Sequence, residues 1–142
     1  MTIEKQNNLI MTTAGIYSFY NKPYLPVDEI FVFGSNLAGR HGLGAALTAF
    51  KSYGAVYGKG VGFQGSSYAI PTKNEKIKTL PIHDVVPYIH EFVEFTKKYD
   101  LLFYVTLIGC GLAGYKPEDI APHFKGAVNC KFHISFMPFL VE

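Results

Sequence analysis

The chain has 142 residues, enough for one domain that buries about two-thirds of its unfolded surface. Hydrophobic residues make up 49%, with 12 Phe and 10 Tyr, which excludes disorder on compositional grounds. The formal net charge of +2 is too small for a nucleic-acid footprint, no apolar run reaches the ~18 residues of a membrane span, and two cysteines, Cys110 and Cys130, make no disulfide scaffold or metal spacing.

Met1 to Asn8 is polar, without the apolar core of a signal peptide, so a cytoplasmic protein is expected. Residues 1–28 read as an N-terminal extension or an edge strand. Within them, Ile10 to Tyr20 suits an edge strand or hairpin ahead of the turn-rich Asn21-Lys22-Pro23. Glu29 to Phe33 is a short apolar run that predicts a buried strand stopping at Gly34. A glycine-rich loop, Gly34 to Gly44, follows. Ala45 to Tyr53 then carries good helix formers and ends at Gly54.

A second glycine cluster runs to Gly65, so nine of the chain's 14 glycines fall between Gly34 and Gly65. Ser67 to Ile70 predicts a short strand ended by Pro71. Lys73, Lys76 and Lys78, with Glu75 among them, read first as a solvated loop and second as an anion-steering patch.

His83 to Asp100 is amphipathic at helical spacing, with Asp84 as its cap and Pro87 in its first turn. Leu101 to Ile108 lacks polar alternation, as a strand covered on both faces does. It ends in Gly109-Cys-Gly-Leu-Ala-Gly114. Pro117 to Phe124 predicts a short helix, and Phe132 to Leu140 a last strand. Alternation of this kind implies a single α/β domain: a mostly parallel mixed sheet flanked by helices, in three layers.

Both strong strands end in glycine-rich loops leading towards helices. In a parallel sheet those loops share one edge, where backbone amides and helix N-termini attract phosphate oxygens. The first loop lacks the GxxxxGK signature of nucleotide triphosphatases. In the second, Gly109, Gly111 and Gly114 match GxGxxG, but no acidic residue closes a strand ~20 residues on, as a dinucleotide fingerprint requires. The loops therefore read either as a diphosphate cradle or as tight turns without a ligand.

Phe31-Val-Phe-Gly-Ser-Asn-Leu-Ala-Gly-Arg-His-Gly-Leu-Gly-Ala-Ala46 resembles the strand and loop that open the ligand site of macrodomains. Ile108-Gly-Cys-Gly-Leu-Ala-Gly-Tyr115 resembles their second phosphate loop, and Glu29 to about Phe124 is similar to small macrodomain-like proteins of phages and prophages. The resemblance implies a macrodomain-like sandwich that binds ADP-ribose or a related nucleotide, in the host cytoplasm if phage-encoded. It implies that Asn36 bonds the distal ribose and that Gly34, Ser35, Leu37, Gly39, Arg40, Gly42 and Gly44 form the first wall. Gly109, Cys110, Gly111, Leu112, Ala113 and Gly114 would wrap the diphosphate, with Tyr115 flanking the distal ribose. Some family members hydrolyse ADP-ribosyl bonds or remove a terminal phosphate. Leu43 to Phe50, where an activating carboxylate is often found, holds no Asp or Glu here.

His41, beside Arg40 in the first loop, is the candidate acid–base group, with Asn36 positioning substrate. Cys110 reads as a small turn residue before a nucleophile, since no base lies near it in sequence. Gln64, Ser66 and Ser67 suit turn capping, or contact with a ribose hydroxyl. No cofactor or metal is expected, nor a membrane or nucleic-acid partner. Three functions remain open: a binding module, a hydrolase of an ADP-ribosyl bond or phosphate, and an interaction domain without ligand. The sequence leaves the oligomeric state undetermined.

Overall fold

The computed structural model describes residues 3–4, 9–12 and 15–141. The strands are β1 (Ile3–Glu4), β2 (Leu9–Thr12), β3 (Gly15–Tyr20), β4 (Ile30–Asn36), β5 (Gly62–Gln64), β6 (Ser67–Lys73), β7 (Phe103–Val105) and β8 (Cys130–His133). The helices are α1 (Gly44–Ser52), α2 (Ile82–Lys98), α3 (Pro117–Ile120) and α4 (Met137–Leu140), with 3-10 turns at Ala121–Phe124 and Ile134–Phe136.

One sheet runs in the order β1-β2-β3-β8-β7-β4-β6-β5. Its centre is parallel: β3 with β8, β8 with β7, β7 with β4, and β4 with β6. The antiparallel pairs, β1 with β2, β2 with β3 and β5 with β6, lie at the two edges. Of the two readings of Ile10 to Tyr20, the structure has the hairpin: β2 and β3 pair antiparallel, and β3 is no edge strand because β8 flanks it on the other side. Among the described residues no helix is long and apolar enough to cross a membrane.

Alternation along the strands sorts the core into two faces. Phe31, Phe33, Ala69 and Tyr104 turn to α1, where Ala46, Ala49 and Tyr53 meet them. Ile30, Val32, Tyr68, Ile70, Phe103 and Val105 turn the other way, onto Val85, Ile89 and Phe92 of α2 and onto Phe124, Phe136 and Leu140. The small residues of α1 let it lie close on the sheet, with Tyr53 stacked 4.6 Å from Phe31. These two faces and their helices give the three layers expected from the sequence.

Several boundaries differ from the sequence reading, each for a local reason. β4 runs on through Gly34 to Asn36, because β6 remains beside it as far as Lys73. Pro71 does not end β6. Phe31 N donates to the Ser66 carbonyl, so the even-numbered residues of β6 bond β4, and the Pro71 nitrogen faces the other side, beyond β5, where no ladder bond is needed.

Only Phe103–Val105 of Leu101 to Ile108 forms a ladder, and Leu102 and Leu107 are exposed at either side. The strand predicted over 132–140 is instead β8 with two short helical turns. The His133 ring accepts from Ser135 N at 3.0 Å and Pro138 starts α4, so the chain leaves the sheet after His133. α2 begins on Pro81 rather than a side-chain cap, and Pro87 lies in its second turn. The carbonyl Pro87 leaves without a donor belongs to exposed His83.

Candidate functional site

β4 and β7 are parallel neighbours, so the segments that follow them emerge side by side. A Cβ on Gly34 would lie 3.5 Å from the Gly109 amide nitrogen, so the two segments touch at their base. Above that point they diverge around a cleft of about 610 Å³. Gly34, Ser35, Asn36, Arg40, Gly42 and Gly44 line one wall, and Gly109, Cys110, Gly111, Leu112 and Ala113 the other. Thr72 and Lys73, at the end of β6, and Ile77 in the turn after it close one end. Leu37, Gly39, His41, Gly114 and Tyr115 do not line it.

The glycines in the cleft walls and in the backbone behind them fall into two groups. Some exist for backbone packing. Gly39 has φ +69°, and a Cβ there would sit 2.3 Å from the Gly58 carbonyl carbon. A Cβ on Gly60 would sit 2.1 Å from the Asn36 oxygen. Gly42 and Gly111 are different. Neither has a left-handed φ, and a Cβ on either would meet nothing within 4 Å. The fold itself places no demand for glycine at these two positions, which face the open space of the cleft.

Amide donors line the same space. Among the described residues, the N–H groups of Gly42, Leu43, Gly109, Gly111, Leu112 and Ala113 have no backbone acceptor. The first-turn amides of α1, on Gly44, Ala45 and Ala46, are also free. Leu43 occupies the N-cap without a side-chain bond, and that turn holds no acidic residue. Arg40 and Lys73 are the cleft's charged side chains; no Asp or Glu lines it. Neither cation has a carboxylate within 4 Å among the described residues. The arrangement can receive an anion from three sides.

Asn36 lies in the wall but is already engaged. Its Nδ2 donates to the Arg40 carbonyl and its Oδ1 accepts from the Arg40 amide, both at 2.9 Å. It holds the loop in shape, with one amide hydrogen left over. The structure does not bring His41 into the cleft. Its side chain is fully buried under the loop, edge-on to Phe33, and its Nε2 donates to the Val56 and Lys59 carbonyls at 2.9 and 3.0 Å. A proton held there has no path to a ligand, so the sequence assignment of His41 as the acid–base group is corrected.

Tyr115 likewise points away, its hydroxyl donating to the Leu80 carbonyl, while Thr79 Oγ1 donates to the Ala113 carbonyl at 2.9 Å. These bonds tie the second wall to the turn after β6. Gln64, Ser66 and Ser67 bond the backbone of the middle glycine segment, as turn capping requires.

A scan against protein-family models finds no match, and neither does a search of the curated proteins. The cleft therefore has to be read from its own chemistry. Cys110 lines it with a half-buried thiol directed at the Ile108 carbonyl, and burial, then the Asp119 carboxylate, pushes that thiol up to about 11. It is a thiol, not a thiolate, at neutral pH. Cys110 and Cys130 are both free. Among the described residues no cluster of His, Cys, Asp or Glu is grouped to hold a metal ion.

Sequence reasoning missed Tyr57, Leu43, Thr72 and Ile77, which all line the cleft, and ranked an anion-steering role for Lys73 second to a solvated loop. Lys73 and Ile77 lay in a segment that reads as solvated. Their signal was the end of β6, at the same sheet edge as the glycine loops.

Proposed function

We propose that this cleft binds the diphosphate of a nucleotide, ADP-ribose or a relative, and holds it without hydrolysing it. The observation that carries the reading is the pairing of Gly42 and Gly111. These two glycines on opposite walls have no internal reason to be glycine, and each is flanked by amides without acceptors. A side chain at either would hold a phosphate away from the donors.

Arg40 and Lys73 add charge of the right sign, and the uncapped start of α1 adds a partial positive charge. Exposed Leu43, Tyr57 and Leu112 on the rim suit the apolar face of a base or sugar. Binding is favoured over turnover because no carboxylate or imidazole lines the cleft and the Cys110 thiol stays protonated.

Titration calorimetry with ADP-ribose, ADP and inorganic pyrophosphate tests this. Heat of binding is expected for all three, with ADP-ribose recovered intact after prolonged incubation. Absence of heat at millimolar ligand overturns the binding reading, and release of product overturns the absence of turnover.

A further inference from the structure

Two buried polar side chains serve one exposed turn. Lys59 N donates to the Val56 carbonyl at 3.0 Å, closing a β-turn whose central residues are Tyr57 and Gly58, the latter at φ +95°. His41, with no exposed surface, donates from Nε2 to the carbonyls of both Val56 and Lys59. Gln64, 4% exposed, accepts from Val56 N at 2.8 Å and donates to the Lys59 carbonyl at 3.1 Å. The two carbonyls fix the His41 tautomer with hydrogen on Nε2, leaving Nδ1 buried without a donor.

A surface turn does not ordinarily draw such support. What this one presents is a single ring. Tyr57 is 57% exposed, lines the cleft, and is steadied edge-on by His41 at 6.1 Å and Phe50 at 5.7 Å. No aromatic side chain among the described residues lies parallel to it. Leu43, 70% exposed, also lines the cleft. A rigid, uncovered aromatic face in a cleft with an exposed aliphatic side chain matches a flat heteroaromatic ring better than a hydroxyl-rich sugar.

We propose that Tyr57 is the stacking face for the heteroaromatic base of the bound nucleotide, and that His41 is the positioning residue that holds Tyr57 in place through the Val56–Lys59 turn. The inference rests on the nucleotide reading of the cleft and adds to it the end at which the base lies. Glycine at 39 belongs to the same device, since Gly58 N donates to the Gly39 carbonyl at 2.8 Å and ties the turn to the first loop.

The test compares ADP with inorganic pyrophosphate, which has no base, on wild type and Tyr57→Ala by calorimetry. ADP affinity is expected to fall about tenfold, with pyrophosphate affinity unchanged and Tyr57→Phe close to wild type. His41→Phe keeps the buried ring but loses both hydrogen bonds. It is expected to weaken ADP alone in the wild-type background and to add nothing in the Tyr57→Ala background.

Tyr57→Trp gives the chain its sole tryptophan, and its emission is expected to be quenched by ADP and not by pyrophosphate. Unchanged ADP affinity in Tyr57→Ala, or equal losses for both ligands, overturns this inference and leaves the nucleotide reading standing. A wild-type protein that binds neither ligand overturns both.

Discussion

At the scale of single residues, the glycines give the sharpest contrast. Gly60 and Gly39 are pressed against backbone, and alanine at either must displace main chain. Gly60→Ala or Gly39→Ala is expected to cost about 2 kcal/mol or more in chemical denaturation. Gly111→Val should leave stability within about 0.5 kcal/mol of wild type while lowering ADP-ribose affinity at least tenfold. A fall in stability without a fall in affinity would assign Gly111 to the fold instead.

Cys110 makes a pH prediction. Its thiol is raised to about 11, first by burial and then by Asp119. The reactive thiolate therefore stays a minor species up to that pH. Alkylation by iodoacetamide is expected to be slow at pH 7.5, to rise about tenfold per pH unit towards pH 10, and to be suppressed by ligand. Fast labelling at neutral pH would contradict the environment described for it.

At the scale of elements, α1 stands open where most helices are closed. Leu43 already has the extended backbone of an N-cap, φ −143° and ψ 154°, but no oxygen to offer. Leu43→Asp is expected to raise stability by about 1 kcal/mol in thermal or chemical denaturation. The same carboxylate should repel the diphosphate and weaken ADP binding about tenfold. Opposite signs for the two effects would mark the open helix end as kept for a ligand.

The same scale shows what the sequence could and could not convey. Glu29 to Phe33, the glycine loop and Ala45 to Tyr53 were legible because composition changes abruptly at Gly34 and again near Ala45. The pairing that carries β4 past Gly34 and β6 past Pro71 is set by the partner strand, which no local pattern records. Phe132 to Leu140 reads as a strand by hydrophobicity alone, whereas Pro138 was the available sign of a helical turn. β5 is a three-residue edge strand, too short for a period to appear. Within the cleft, the two glycine walls were visible in the sequence. The burial of His41 was not, since its carbonyl partners lie 15 and 18 residues away.

At the scale of the whole molecule, a formal net charge of +2 conceals a local concentration of positive potential. Arg40, Lys73, the free amides and the start of α1 converge on one cleft, while the carboxylates lie elsewhere. Affinity for pyrophosphate is expected to fall steadily as sodium chloride rises from 20 to 500 mM, values on the order of the range over which screening lengths shrink severalfold. Arg40→Ala and Lys73→Ala should each weaken binding about tenfold and flatten that salt dependence. A salt-independent affinity would point to an apolar mode of binding.

The first wall is main chain laid on main chain, with Gly39 against Gly58 and Gly60 against the Asn36 carbonyl. Nothing in such a seam can repack, because it has no rotamers to change. The opposite wall is tethered by the hydroxyls of Thr79 and Tyr115 to a turn at the surface, in which Ile77 holds a left-handed φ of 62°. Of the two jaws, then, only this one can adjust its bite, and any tolerance for ligands of different size has to come from residues 109–114.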